Sequence, residues 1–192
     1  MLDNQEVLRK YVSDMVGVVR HVHEAIERQI HDGNSSKFPE AKSLLAELSQ
    51  ELNTQRNHLD GLATEVEAHT LAVGKDAVTA ATGFITGLYD RLRNHPISKD
   101  LRDDYVAVTL CCVAYEMLHT TGLALRHQNT AELALRNLQQ LTPYVTKIGQ
   151  LIPAIVVREL GDSGADVDIA AADVAARNNH EAWTASVASS QN

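Results

Sequence analysis

From residue 39 to residue 69 the chain holds a single pattern. Ala41, Leu45, Leu48, Leu52, Leu59, Leu62 and Val66 recur at steps of four and three, with Gln55 the one polar member of the series. Only an α-helix, at about 3.6 residues per turn, brings such positions onto one face. An apolar stripe of that length needs another helix to cover it, because helical stability in water comes mostly from packing. Residues 5–31 supply a partner through Leu8, Val12, Met15, Val19, Val22, Ile26 and Ile30. Gly33-Asn34-Ser35-Ser36 provides turn chemistry between the two, and Pro39 suits a first helical position. Two long helices across a short polar loop form an antiparallel hairpin.

The remaining chain reads the same way. A third helix is expected over 76–93, with Val78, Ala81, Ile85, Leu88 and Leu92 as its stripe. Gly83 and Gly87 on one side would permit close approach of another helix. His95-Pro96 breaks it. Ser98 is then the expected N-cap of a fourth helix reaching about 127, with Asp100 in its first turn. That helix is apolar on most faces between Tyr105 and Leu125, which predicts the central, most buried element. Asn129-Thr130-Ala131-Glu132 reads as a capping pattern opening a fifth helix. Its stripe is Leu135, Leu138, Leu141, Val145, Ile148, Ile152, Ile155 and Leu160, interrupted by Pro143 and Pro153, with a kink or break expected at Thr142-Pro143. The expected organisation is an all-α bundle over residues 1–160 and a tail over 161–192. The tail is either flexible or a weak helix over 166–185 anchored by Trp183.

Composition narrows the function. Aromatic residues make up 4% of the chain, so the core must be built from aliphatic side chains. The net charge of −8 and the absence of any Lys/Arg run argue against a nucleic-acid partner and against an anionic membrane surface. No apolar run is expected to approach the roughly 20 residues that span a bilayer. The acidic start, Leu2-Asp3-Asn4-Gln5-Glu6, lacks the pattern of a signal peptide. The two cysteines, Cys111 and Cys112, are helical neighbours and make a poor disulfide; two buried reduced thiols in a cytoplasmic protein are expected.

One constellation carries chemistry. Glu116 and His119, three residues apart on a helix, share a side, and four-helix bundles use such pairs with further Glu residues to hold two metal ions. Gln55 and His58 form an incomplete second copy. These four residues are the metal-site candidates, with iron or manganese the ions that suit carboxylate and imidazole. A metal-free polar layer in the core explains the same residues. His21, His23, Glu24 and Glu27 read as a solvated polar face, with a surface metal the alternative. No Gly-rich phosphate loop and no activated nucleophile are recognisable.

Several segments resemble the ferritin-like superfamily, in particular its small bacterial stress-associated branch. They are Tyr11-Val12-Ser13-Asp14-Met15, Gln55-Arg56-Asn57-His58-Leu59, Leu101-Arg102-Asp103-Asp104-Tyr105, Val113-Ala114-Tyr115-Glu116 and Met117-Leu118-His119-Thr120-Thr121. The resemblance covers residues 5–160 and implies a ferritin-like antiparallel four-helix bundle with one extra helix and a C-terminal tail. It also shows departures. Val19 stands where relatives carry a ligand Glu on the first helix. Val113-Ala114-Tyr115-Glu116 replaces Glu-His-Tyr-Glu, and Gln139, Gln140 and Pro143 replace carboxylates of the last helix. The expectation is a non-catalytic structural or interaction protein, stress-related, without cofactor and homodimeric. The alternative is an iron- or manganese-binding protein, or a weak oxidoreductase, with a partial site.

Overall fold

The computed structural model describes residues 3–31, 34–68 and 96–188, and these are helical with no strand among them. Helix α1 is Asn4–His31, followed by a 3-10 turn at Asn34–Lys37. Helix α2 is Pro39–Ala68, α3 is Ile97–Ala124, α4 is Gln128–Asp162 and α5 is Ala171–Ala188. The first two match the expected hairpin to within a residue at each end, and Pro39 opens α2. The helix expected over 76–93, with Gly83 and Gly87, lies outside the described residues.

The four long helices close a ring: α1 packs on α2 and α3, and α4 packs on α3 and α2. Side-chain pairs fix the directions. Ser98 meets Glu159 and Gly122 meets Ala131, so α3 and α4 run antiparallel. Lys147 pairs with Glu47, and Asn129 with Glu65, so α2 and α4 do too. Gln29, near the end of α1, bonds Asp104, near the start of α3, at 2.9 Å. Helices α1 and α4 therefore point one way, and α2 and α3 the other. Helix α2 ends at one end of the ring and α3 begins at the opposite end.

The interior is aliphatic, as the scarcity of aromatics requires. Leu8, Met15, Val19, Val22 and Ile26 of α1 meet Leu45, Leu48, Leu52, Leu59 and Val66 of α2. Leu101, Val108, Cys111 and Leu118 of α3 and Leu141, Ile148 and Ile155 of α4 complete it. Both thiols are free and buried, as expected. Burial, then the nearby Glu116, raises the Cys112 thiol to about 11, so it stays protonated near neutral pH.

Five expectations need correction. Ser98 is not the cap of α3: the N-cap is Pro96, two residues earlier, and Glu159 of α4 accepts from both the Ser98 amide and its hydroxyl. A carboxylate brought from another helix thus serves that N-terminus. His127, not Asn129, caps α4, its ring accepting from the Thr130 amide. The prolines do not break α4. Pro143 cannot donate to the Gln139 carbonyl, and the Thr142 hydroxyl takes that acceptor instead, at 3.5 Å. Trp183 is not a buried anchor, being 70% exposed, although α5 does lie on α4.

The fifth concerns α3. By length and composition Ile97–Ala124 is apolar enough to cross a bilayer, contrary to the expectation that no apolar run approaches that length. It buries one face against α1 and α4 as a core helix does. It is not buried all round, however: Val106, Val113, Met117 and Leu123 remain exposed.

Candidate functional site

Halfway along the ring, the aliphatic core is interrupted by polar side chains. Gln55 falls in the α2 seam between Leu52 and Leu59, so the packing that buries those leucines buries it as well. Its amide nitrogen donates to Glu51 Oε1 at 2.7 Å and to the main-chain carbonyl of Asn137 at 3.1 Å. Its amide oxygen is buried with no hydrogen-bond partner. Asn137 is carried by α4 at a fully buried position, and its amide nitrogen donates to the phenol oxygen of Tyr115 on α3 at 3.1 Å. The Asn137 amide oxygen faces His58 Nδ1 at 3.4 Å.

Among the described residues, Tyr115 is the one aromatic of the largest fully buried side chains. Burial pushes its ionisation well above the ordinary tyrosine value, with the Asn137 hydrogen bond opposing, so the phenol is neutral at physiological pH. Counting along antiparallel α1 and α3 from the Gln29–Asp104 bond places Val18 and Val19 level with Tyr115, and both valines are buried. Each of the four long helices thus contributes to one layer: valine, glutamine, tyrosine and asparagine. Among the described residues, the only carboxylate bonded into it is Glu51, at the partly buried edge.

The sequence candidates separate into two pairs. Gln55 and His58 belong to the layer, joined through Asn137. Glu116 and His119 do not. The face of α3 that carries Cys111, Cys112, Tyr115, Leu118 and Gly122 is the one turned inward, which leaves Val113 and Glu116 outward and exposed. Two helical neighbours of Glu116, Val113 and Thr120, are exposed with it, while Cys112 is buried. His119 sits at the edge, its Nδ1 donating to the Ala131 carbonyl at 2.8 Å and tying α3 to α4. Of the two valines read as replacing ligands, Val19 lies at the layer and Val113 does not.

Asn137 escaped the sequence reading. It follows Ala134 by three and precedes Leu141 by four, the same polar interruption of a stripe that Gln55 makes in α2. The expected stripe runs through Leu135 and Leu160 instead, which are 38% and 48% exposed.

A pair of iron or manganese ions does not fit these donors. Two divalent ions bring about four positive charges, which must be offset by carboxylates when buried. The layer offers two amides, a neutral phenol, one imidazole and one peripheral carboxylate. Among the described residues, no three His, Cys, Asp or Glu side chains are placed to share an ion.

A second polar cluster bridges α1 and α2. Ser49 donates to Glu27 and lies 3.2 Å from His23 Nε2, while Arg56 approaches His23 Nδ1 at 3.5 Å. Burial, then the Arg56 charge, lowers the His23 pKa below its usual value, which favours the neutral ring. His23 is therefore turned into the helix interface rather than standing on a solvated face. The Ser49 hydroxyl donates to Glu27, and the His23 ring lies within hydrogen-bonding distance of the same hydroxyl oxygen.

Comparison with protein-family models, with curated proteins and with solved structures finds no match to this chain.

Proposed function

We propose that this protein is a ferritin-like four-helix bundle whose centre is a hydrogen-bonded layer of neutral side chains, and that it works as a non-catalytic interaction protein. The carrying observation is the composition of that layer: Val19, Gln55, Tyr115 and Asn137 stand at the level where a metal-binding bundle gathers its carboxylates. The helix order supports the architecture. Two antiparallel hairpins with the second and third helices parallel need one connection running the length of the bundle, the arrangement of ferritin-like folds. The stress-associated role comes from the resemblance of the segments around Gln55 and Tyr115.

Ferrous iron added in air to protein purified without chelator provides the test. The expected result is oxidation at the protein-free rate and sub-stoichiometric metal by elemental analysis. Saturable oxidation above that rate, abolished by Glu51→Gln or His58→Ala, would replace this reading with the oxidoreductase.

A further inference from the structure

Four side chains at the α1–α2 interface form a hydrogen-bonded chain with one possible direction. Ser49 and Arg56 lie seven residues apart on α2, hence on one side of it, and His23 of α1 comes between them. A guanidinium has only N–H groups to offer, so His23 Nδ1, 3.5 Å from Arg56, is the accepting nitrogen. The proton of the neutral ring then sits on Nε2, which donates to Ser49 Oγ at 3.2 Å. The Ser49 hydroxyl passes its own hydrogen to Glu27. The links run from a cation on α2, through an imidazole on α1 and a buried serine on α2, to an anion on α1. His58 and His119 also join helices, but there Nδ1 donates, to the Asn137 side-chain carbonyl and the Ala131 main-chain carbonyl. Protonating the ring leaves a donating nitrogen as it was and abolishes an accepting one.

We propose that His23 is a proton-operated latch on the α1–α2 hairpin, bridging to Arg56 and Ser49 while neutral and, once protonated, leaving Arg56 to pair within α1 with Glu27. A hydrogen on Nδ1 would point at the guanidinium, setting two positive charges together at a side chain only 12% exposed. The alternative partner is already in place. Glu27 Oε1 stands 4.0 Å from His23 Nε2, one helical turn further along, and its other carboxylate oxygen is 3.7 Å from His31. The charged groups acting on the ring are Arg56 from α2 and Glu27 and Glu24 from α1. Burial and Arg56 outweigh the two carboxylates, so in the folded chain the ring takes its proton only below the ordinary value of 6.5. The unfolded chain therefore binds that proton first. The stability this latch contributes is present above that ordinary value and is lost as pH falls through the range beneath it. The loosening is confined to the α1–α2 hairpin, because the bond of His119 between α3 and α4 survives whether its ring is charged or neutral. The inference does not depend on the metal-free reading of the core, which a different measurement tests.

Nitrogen NMR of the histidine rings and amide hydrogen exchange, both on the full chain, decide it. Near neutral pH the His23 ring is expected to carry its hydrogen on Nε2, and Arg56→Gln is expected to raise its titration midpoint. Exchange protection, corrected for its intrinsic pH dependence, is expected to fall several-fold around His23 and Ser49 between about pH 7 and about pH 5. Around His119 and Ala131 it is expected to hold. His23→Gln can accept from Arg56 and donate to Ser49 at every pH, so it is expected to abolish the acid loss. A hydrogen on Nδ1 near neutral pH overturns the inference. So does a midpoint that Arg56→Gln leaves unmoved, or an acid loss around Ser49 that persists in His23→Gln. If Arg56→Gln fails to fold, the ring tautomer and the His23→Gln exchange still decide.

Discussion

At the scale of single residues, the polar layer specifies more than it stabilises. Two amides and a phenol in an aliphatic core gain little net energy over leucines, because each gives up its bonds to water. Their value is register: Asn137 reaches Tyr115 and His58 only when α4 sits level with α2 and α3. Asn137→Ala leaves the phenol and imidazole without their partner and is expected to cost about 1–3 kcal/mol in urea denaturation. Combined with Tyr115→Phe it should cost less than the sum of the two, since both remove one hydrogen bond. Strict additivity would show that the bond contributes nothing. Arg126 offers the opposite case. It closes the α3–α4 turn at φ +58°, with the His127 amide bonded to the Gly122 carbonyl and the Arg126 amide to that of Leu123. This is the Schellman arrangement, in which glycine is the usual residue at the left-handed position. Arg126→Gly is expected to stabilise the protein by about 1 kcal/mol, read as a higher melting temperature.

At the scale of elements, the hairpins differ in how closely their helices approach. A methyl group at Gly122 would lie 2.7 Å from the Ala131 backbone nitrogen, whereas one at Gly17 meets nothing within 4 Å. Gly122→Ala is therefore expected to cost about 1–3 kcal/mol by forcing α3 and α4 apart. Gly17→Ala should gain roughly 1 kcal/mol from helix propensity alone. Thermal melts of the two variants moving in the same direction would refute the assignment of the close approach. The long seams of α1 and α2 were legible because each buries one regular face, and so was the anomaly of Gln55, a lone polar residue in a run of leucines. Helix α3 was not legible in the same way. It has apolar side chains on its inner and outer faces alike, so periodicity could not say that Tyr115 faces in while Val113 and Glu116 face out. The caps of α3 and α4 were missed because both depend on geometry the sequence hides: Glu159 arrives from sixty-one residues away, and His127 acts through a ring nitrogen rather than as one of the usual capping residues. The two prolines read as breaks because local rules count the lost hydrogen bond without counting the packing that holds α4 along both neighbours.

At the scale of the whole molecule, the ring has a consequence for molecularity. Apart from the one chain connection between α2 and α3, the α1–α2 hairpin and the α3–α4 hairpin are held together by side chains. Folding thus includes a docking reaction between two tethered partners. The tether raises their effective concentration to about the millimolar range. Two fragments, one ending and one beginning between residues 68 and 96, should each be weakly helical alone and recover helicity on mixing, with a midpoint that shifts with total concentration. Circular dichroism of the mixture equal to the sum of its parts would rule this out. If the fragments do combine, their dissociation constant measures directly what the α1–α3 and α2–α4 interfaces contribute, a quantity that unfolding of the intact chain mixes with the stability of the hairpins themselves.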